Sequence, residues 1–132
     1  MGTLDSDPTV ADPARAYISA VGAHDIDKIE TLFAEDATAS FAGQVLSRAD
    51  WINGLRRLFP ALLRNDILEV FTAATRACIV YDFVTDTPAG AVRCVELVTV
   101  NDGRITQVEL IFDRVAFAPV NEALEQRAKS VD

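Results

Sequence analysis

AVRCVELVTVNDGRITQVELIFDRV, residues Ala91 to Val115, reads as two strands on either side of Asn101-Asp102-Gly103. Val, Ile, Leu and Thr dominate both runs, and a tight turn of this composition between apolar runs is a strong hairpin signal. Strands joined so closely must be antiparallel. Toward the N-terminus, Ala77–Thr85 forms a third run, set off by Asp86-Thr87-Pro88-Ala89-Gly90, and Ile67–Ala74 a fourth. Their alternation is incomplete. One face of the third run carries Ile79, Tyr81 and Phe83, the other Cys78, Val80, Asp82 and Val84. In the last run Val108, Leu110 and Phe112 oppose Glu109, Ile111 and Asp113. A sheet that is rather apolar on both faces must be covered on both. Helices are expected over one side and a second copy of the chain over the other, a homodimer through the sheet.

The helices come from the first half. Asp12 followed by Pro13 is a good helix start, and Ala16, Tyr17, Ala20 and Val21 follow at helical spacing until Gly22. Asp25 caps a second helix with Ile26, Ile29, Leu32 and Phe33 on one stripe. Ala37–Leu46 is short, β-like and interrupted by Gly43. Ser47 with Asp50 then resembles a capping box for a third helix carrying Trp51, Ile52, Leu55, Leu58, Phe59 and Leu62, which Pro60 should kink or end. The fold class is α+β: three N-terminal helices packed in the concavity of a strongly bent antiparallel sheet. Residues 1–11 are expected to be a mobile leader, 12–118 a single domain and 119–132 a polar tail. A curved sheet cupping a helix encloses a hollow, and such concave apolar sites take small ligands.

Composition narrows the chemistry. The chain has 132 residues, half of them apolar, with mean hydropathy +0.18. Twelve Lys and Arg against 20 Asp and Glu leave a net charge of −8, which repels nucleic acid and anionic lipid. No run approaches the roughly 20 apolar residues of a membrane helix, and Met1–Asp12 is too acidic for a signal peptide, so a cytoplasmic protein is expected. Two cysteines, Cys78 and Cys94, and one histidine, His24, cannot furnish a zinc site. The cysteines read as buried hydrophobes, His24 as a solvated turn residue, and Arg48, Arg56, Arg57 and Arg64 as a solvated helix face. Nucleotide-binding glycine loops are absent. No cofactor is expected, and any reaction falls to carboxylates, tyrosine and arginine.

From about Pro13 to Phe117 the order of elements resembles the nuclear-transport-factor-2-like superfamily, in particular its SnoaL-like, ketosteroid-isomerase-like branch, whose fold is a cystatin-like cone. Tyr17, the stretch HDIDKIETLFAEDATASF (His24–Phe41) and the stretch DGRITQVELIFDRVAF (Asp102–Phe117) carry the likeness. That superfamily hosts isomerases, epoxide hydrolases, dehydratases, cyclases and non-catalytic binders. By resemblance to the ketosteroid isomerases, Tyr17 stands where that family keeps an oxyanion-hole tyrosine. Glu96 stands where it keeps a protonated acid that hydrogen-bonds the developing enolate. The family's general base corresponds to Phe41, which cannot accept a proton. In the limonene-epoxide-hydrolase pattern Asp82 matches one aspartate, but Val80 and Leu110 replace the arginine and the second aspartate.

Glu96 is accordingly either solvent-facing at a dimer edge or buried in the hollow, where desolvation raises its pKa. Tyr17 either packs the core or donates to a ligand oxygen. Parity turns Asp82 outward unless a bulge reverses it. The expected ligand walls are Phe41, Trp51, Phe59, Tyr81, Phe83, Val98, Val108, Leu110 and Phe112. Three functions stand beside one another: a cofactor-independent acid/base enzyme acting on a hydrophobic oxygenated small molecule, with Tyr17 and Glu96 catalytic; a non-catalytic binder of an apolar ligand in the same hollow; and a protein-interaction dimer whose pocket has collapsed.

Overall fold

The computed structural model describes residues 7–130. Helix α1 (Pro8–Gly22) begins earlier than the Asp12-Pro13 pair suggests, because Asp7 and Pro8 repeat the same cap. The Asp7 carboxylate accepts from the Thr9 amide at 3.0 Å and Pro8 occupies the first turn. Pro13 then lies inside the helix and forfeits one main-chain bond, a loss offset by burying Val10, Ala11 and Ala14. Met1–Ser6 of the expected leader lie outside the described residues. Gly22 is dictated by close approach: a Cβ there would meet the Asn65 amide nitrogen at 2.6 Å.

Helix α2 (Ile26–Leu32) is capped by Asp25, which accepts from the Lys28 amide at 3.1 Å. Strands β1 (Phe33–Phe41) and β2 (Gln44–Ser47) form a hairpin whose turn residues Ala42 and Gly43 both have positive φ, as a type I′ turn requires. Ser47 caps helix α3 (Arg48–Leu58) by accepting from the Asp50 amide at 3.1 Å. Pro60 ends that helix in a short 3-10 turn, Phe59–Ala61. Strands β3 (Leu62–Ala73), β4 (Arg76–Thr85), β5 (Ala91–Asn101) and β6 (Arg104–Phe112) follow. The last strand stops at Phe112 because Asp113 accepts from the Val115 and Ala116 amides and starts helix α4 (Arg114–Ser130). The residues after Ala118, expected as a polar tail, belong to this helix, which buries Phe117, Val120 and Leu124 on one stripe.

One six-stranded sheet results, ordered β2-β1-β6-β5-β4-β3. Neighbours are antiparallel except β1 with β6, a parallel pairing that the long stretch of chain between them allows. Register shifts leave an extra residue on β3 between Ile67 and Glu69 and on β6 between Ile105 and Gln107, opposite Thr99 and Val100, and such bulges bend a sheet. The expected α+β cone is what the chain forms. On the concave side Ala77, Ile79, Val98, Val100, Ile105 and Val108 pack into the core beneath the helices. On the convex side Val80, Val95 and Leu97 are half-buried, while Phe71 and Ile111 are 39% and 50% exposed. Among the described residues no helix is long and apolar enough to cross a membrane.

Candidate functional site

Alternation along β5 settles which side Glu96 takes. Val92, Cys94, Glu96, Val98 and Val100 all face the concavity, and Glu96 is 2% exposed. Its neighbours across the sheet are Ile79 of β4 and Leu110 of β6, so no cation flanks it there. Phenols meet it instead. The Tyr17 hydroxyl, on the inner stripe of α1, donates to Oε2 at 2.6 Å. The Tyr81 hydroxyl, two residues beyond Ile79 on the same face of β4, donates to Oε1 at 2.7 Å. Trp51, held near the start of α3 by the Ser47 cap, donates its Nε1–H to the Tyr17 oxygen at 3.0 Å. A chain of three bonds, Trp51 to Tyr17 to Glu96 to Tyr81, therefore crosses from helix to sheet through the interior.

Burial and hydrogen bonding act oppositely on this acid. Burial disfavours the carboxylate and pushes the Glu96 pKa up to about 7, while the Tyr17 and Tyr81 donors pull it back. Both tyrosines are held well above the ordinary phenol range, first by burial and then by the nearby Glu96 charge. The Cys94 thiol, pushed up to about 12 chiefly by burial, stays protonated and is no nucleophile. Glu96 is thus the one member of the cluster that changes charge near neutrality, which suits a proton donor or acceptor.

The cluster lies on the wall of a cavity of about 1040 Å³ between sheet, α1, α3 and α4. Its lining is aromatic in a continuous belt. Trp51 lies 5.8 Å from Phe41, Phe41 6.3 Å from Phe112, Phe112 5.1 Å from Phe117, and Phe117 5.6 Å from Phe83, ring centre to ring centre. Charged side chains gather elsewhere in the lining, on α3 and α4: Asp50, Arg57, Arg114, Glu122 and Glu125. Arg57 donates to Asn121 of α4 at 2.9 Å, and Arg127 ties α4 to Asp86 and to the Pro60 carbonyl at 2.7 and 3.0 Å. Among the described residues no group of three or more His, Cys, Asp and Glu side chains is arranged to hold a metal ion.

The expected site residues divide. Phe41, Trp51, Tyr81, Phe83, Leu110 and Phe112 line the cavity together with Tyr17 and Glu96. Phe59 does not: the turn at Pro60 lays its ring flat on His24, centres 4.6 Å apart and planes within 8°. Val98 and Val108 do not either. They face one another across β5 and β6 in the fully packed part of the concavity. Tyr17 and Glu96 do not aim at a shared third point as a polarising pair would; they bond each other. Asp82 faces outward, as parity implies, and pairs with Arg93 at 2.6 Å on the convex side. His24 is exposed, yet its Nε2 lies 2.7 Å from the Leu62 carbonyl oxygen, so the turn is pinned rather than merely solvated. Tyr81, expected in the cavity wall, is also the acid's second partner, a role its parity with Ile79 permits once the β4–β5 register is known. Phe117, within the expected domain but given no role by the sequence reading, lines the cavity from α4.

Residues 14–108 match the family model for the SnoaL-like domain. A protein from Kribbella flavida is 29% identical, with TM-score 0.78 over 91% of this chain and 99% of that one. Two further crystal structures share the fold at lower identity. An NTF2-like protein of unknown function from Cytophaga hutchinsonii is 17% identical, TM-score 0.68, covering 89% of this chain and 99% of its own. A protein from Jannaschia, provisionally named a SnoaL-like polyketide cyclase, is 17% identical, TM-score 0.72, covering 89% and 95%. No curated protein matches the chain.

Proposed function

The chain belongs to the SnoaL-like domain family, and on that footing we propose that it is a cofactor-independent acid/base enzyme acting on a hydrophobic, oxygenated small molecule held in the cavity. One observation carries the reading. A buried carboxyl, its pKa pushed up to about 7 by burial, stands on the wall of an aromatic cavity large enough for a polycyclic body. Keeping such a carboxyl in a fold is costly, and a purely structural position would be filled at less cost by an apolar side chain. Glu96 gives and takes the proton. Tyr17, held by Trp51, positions the acid rather than the substrate.

The test is proton exchange. A bicyclic ketone such as 1-tetralone loses a proton beside its carbonyl slowly in neutral water. In deuterium oxide the enzyme is expected to speed deuterium uptake at that carbon, followed by NMR, and Glu96→Gln to abolish the increment. Uptake no faster with the wild-type protein than with Glu96→Gln, from pH 5.5 to 8.5, would remove proton abstraction from carbon.

A second reading, a non-catalytic binder, is favoured by a separate observation: both carboxyl oxygens already accept a tyrosine proton, and Phe41 is wall. Binding of 1-tetralone without any exchange would select it. Under either reading we propose that the convex face carries a homodimer, because Phe71, Val80, Val95, Leu97 and Ile111 leave apolar surface there.

A further inference from the structure

When Glu96 takes up a proton, the cluster around it gains a hydrogen that its two contacts cannot hold. Two short contacts link the acid to its phenols, one from each carboxyl oxygen. With Glu96 ionised, the two phenolic protons fill both contacts and neither hydroxyl has a proton to offer. With Glu96 protonated, three O–H protons belong to the same three groups, while the two contacts still hold only two. One hydroxyl must therefore turn its hydrogen out of the chain.

Trp51 decides which. Its Nε1–H donates to the Tyr17 oxygen, and a hydroxyl that accepts one hydrogen bond becomes a stronger donor and a poorer acceptor of a second. Tyr17 therefore keeps its proton on Oε2. Tyr81 carries no such donor: its cross-strand neighbour Cys94 directs its weak S–H to the Val92 carbonyl, 3.6 Å away. The acid's proton then goes from Oε1 to the Tyr81 oxygen, and the Tyr81 hydrogen turns toward the cavity that this residue lines, where its one protein partner among the described residues is the Cys94 sulfur, a weak acceptor that a ligand oxygen outcompetes.

We propose that Tyr81 is the specificity-determining hydroxyl of the cavity, offering its proton to a ligand carbonyl or ether oxygen only when Glu96 takes up a proton. The inference rests on the cavity being a small-molecule site. It assigns that site a ligand class, hydrogen-bond acceptors at low pH, and couples their binding to proton uptake. At high pH the carboxylate keeps spare lone pairs, so the site turns toward donors such as phenols. The groups facing Glu96 are few: Tyr17 from α1, Tyr81 from β4 and Cys94 from its own strand, with Leu110 opposite on β6. Asp50 and Arg57 of α3 and Arg114, Glu122 and Glu125 of α4 lie in the cavity lining and form no hydrogen bond with the cluster. The acid's titration midpoint of about 7 puts the switch within reach of ordinary buffers.

Three probes with one body test it: tetralin, without a polar group; 1-tetralone, an acceptor; and 5,6,7,8-tetrahydro-2-naphthol, a donor. Affinities are measured by calorimetry on the full chain from pH 5.5 to 8.5. Tetralin is expected to bind equally throughout. The ketone is expected to weaken roughly tenfold toward high pH, the worth of one net hydrogen bond, and to bind with proton uptake visible as a dependence on buffer ionisation enthalpy. The phenol is expected to hold or tighten. In Tyr81→Phe the ketone should follow tetralin at every pH, whereas Tyr17→Phe should retain the pH dependence. Glu96→Gln provides a second line, since its amide stays protonated: ketone affinity should stay at the acidic wild-type value across the range. A ketone whose profile matches tetralin in the wild-type protein overturns the proposal while leaving the cavity reading intact. A pH dependence that survives Tyr81→Phe but not Tyr17→Phe overturns the assignment to Tyr81. Failure of tetralin and ketone to bind at any pH overturns the cavity reading, and the proposal with it.

Discussion

Replacing Glu96 by glutamine should make the protein more stable at pH 8 than the wild type, although the change removes an acid from the centre of a hydrogen-bonded cluster. The sign follows from the direction of the pKa change. In the unfolded chain the carboxyl titrates near its ordinary value of 4.5; in the fold burial holds it at about 7. Between those values the folded protein binds the proton and the unfolded chain does not. The stability contributed by the protonated acid is fully present below pH 4.5 and is lost as pH rises through 7. At roughly 1.4 kcal/mol per pH unit, the interval amounts to about 3 kcal/mol, a large share of an ordinary domain's stability. Glutamine has no proton to lose and can imitate the protonated acid, accepting from Tyr17 and donating to Tyr81. Urea unfolding of both proteins from pH 4.5 to 8.5 measures the effect. The other acids titrate alike in both, so the difference between the two curves isolates Glu96. It should grow in favour of the variant by about 3 kcal/mol and then level off above pH 8. Parallel curves would show that the carboxyl ionises in the fold as it does in the open chain. A difference of the opposite sign would show that the two phenols outweigh burial.

Tyr17→Phe removes one donor to Glu96 and leaves the Trp51 Nε1–H buried without its acceptor; a loss of about 1–3 kcal/mol is expected in urea unfolding, with the acid's midpoint moving further above 7. Gly22→Ala should cost about 1–3 kcal/mol, because its methyl would meet the Asn65 backbone nitrogen at 2.6 Å and strand β3 cannot yield as a flexible side chain would; thermal unfolding reads this directly, and an unchanged midpoint would mean that α1 shifts freely on β3. Light scattering at micromolar concentration should return a dimer mass, and Ile111→Lys, placing a charge amid the exposed apolar side chains of the convex face, should return a monomer of unaltered secondary structure. A wild-type monomer mass would remove the homodimer.

What could be read in advance was whatever depends on neighbours in sequence. The caps at Asp25 and Ser47, the end of α3 at Pro60 and the turn at Asp102-Gly103 rest on local chemistry, and each stands where the residues imply. Parity along β4 was equally local, and it put Tyr81 inside and Asp82 outside; for Glu96 it left both sides open, and only the structure turns that side chain inward. The errors share a cause of another kind. Val98 and Val108 have the right parity but the wrong position along the strand: the concavity is solid at one end and hollow at the other, and only the seating of α1 and α3 decides where it opens. Helix α4 is hard to read in the sequence because its stripe, Phe117, Val120 and Leu124, is thin and interrupted by Pro119; its partners are a distant 3-10 turn and the cavity itself. The bond between Tyr17 and Glu96 lay furthest from view, since it joins residues 79 apart in sequence. Their closeness has a functional consequence. A tyrosine and an acid set apart would each offer a ligand its own proton at any pH, whereas two phenols clasping one carboxyl share a fixed number of protons among them. What the cavity presents to a ligand is then set by one ionisation, and the same buried charge that weakens the fold above neutrality is what gives the cavity two chemical faces.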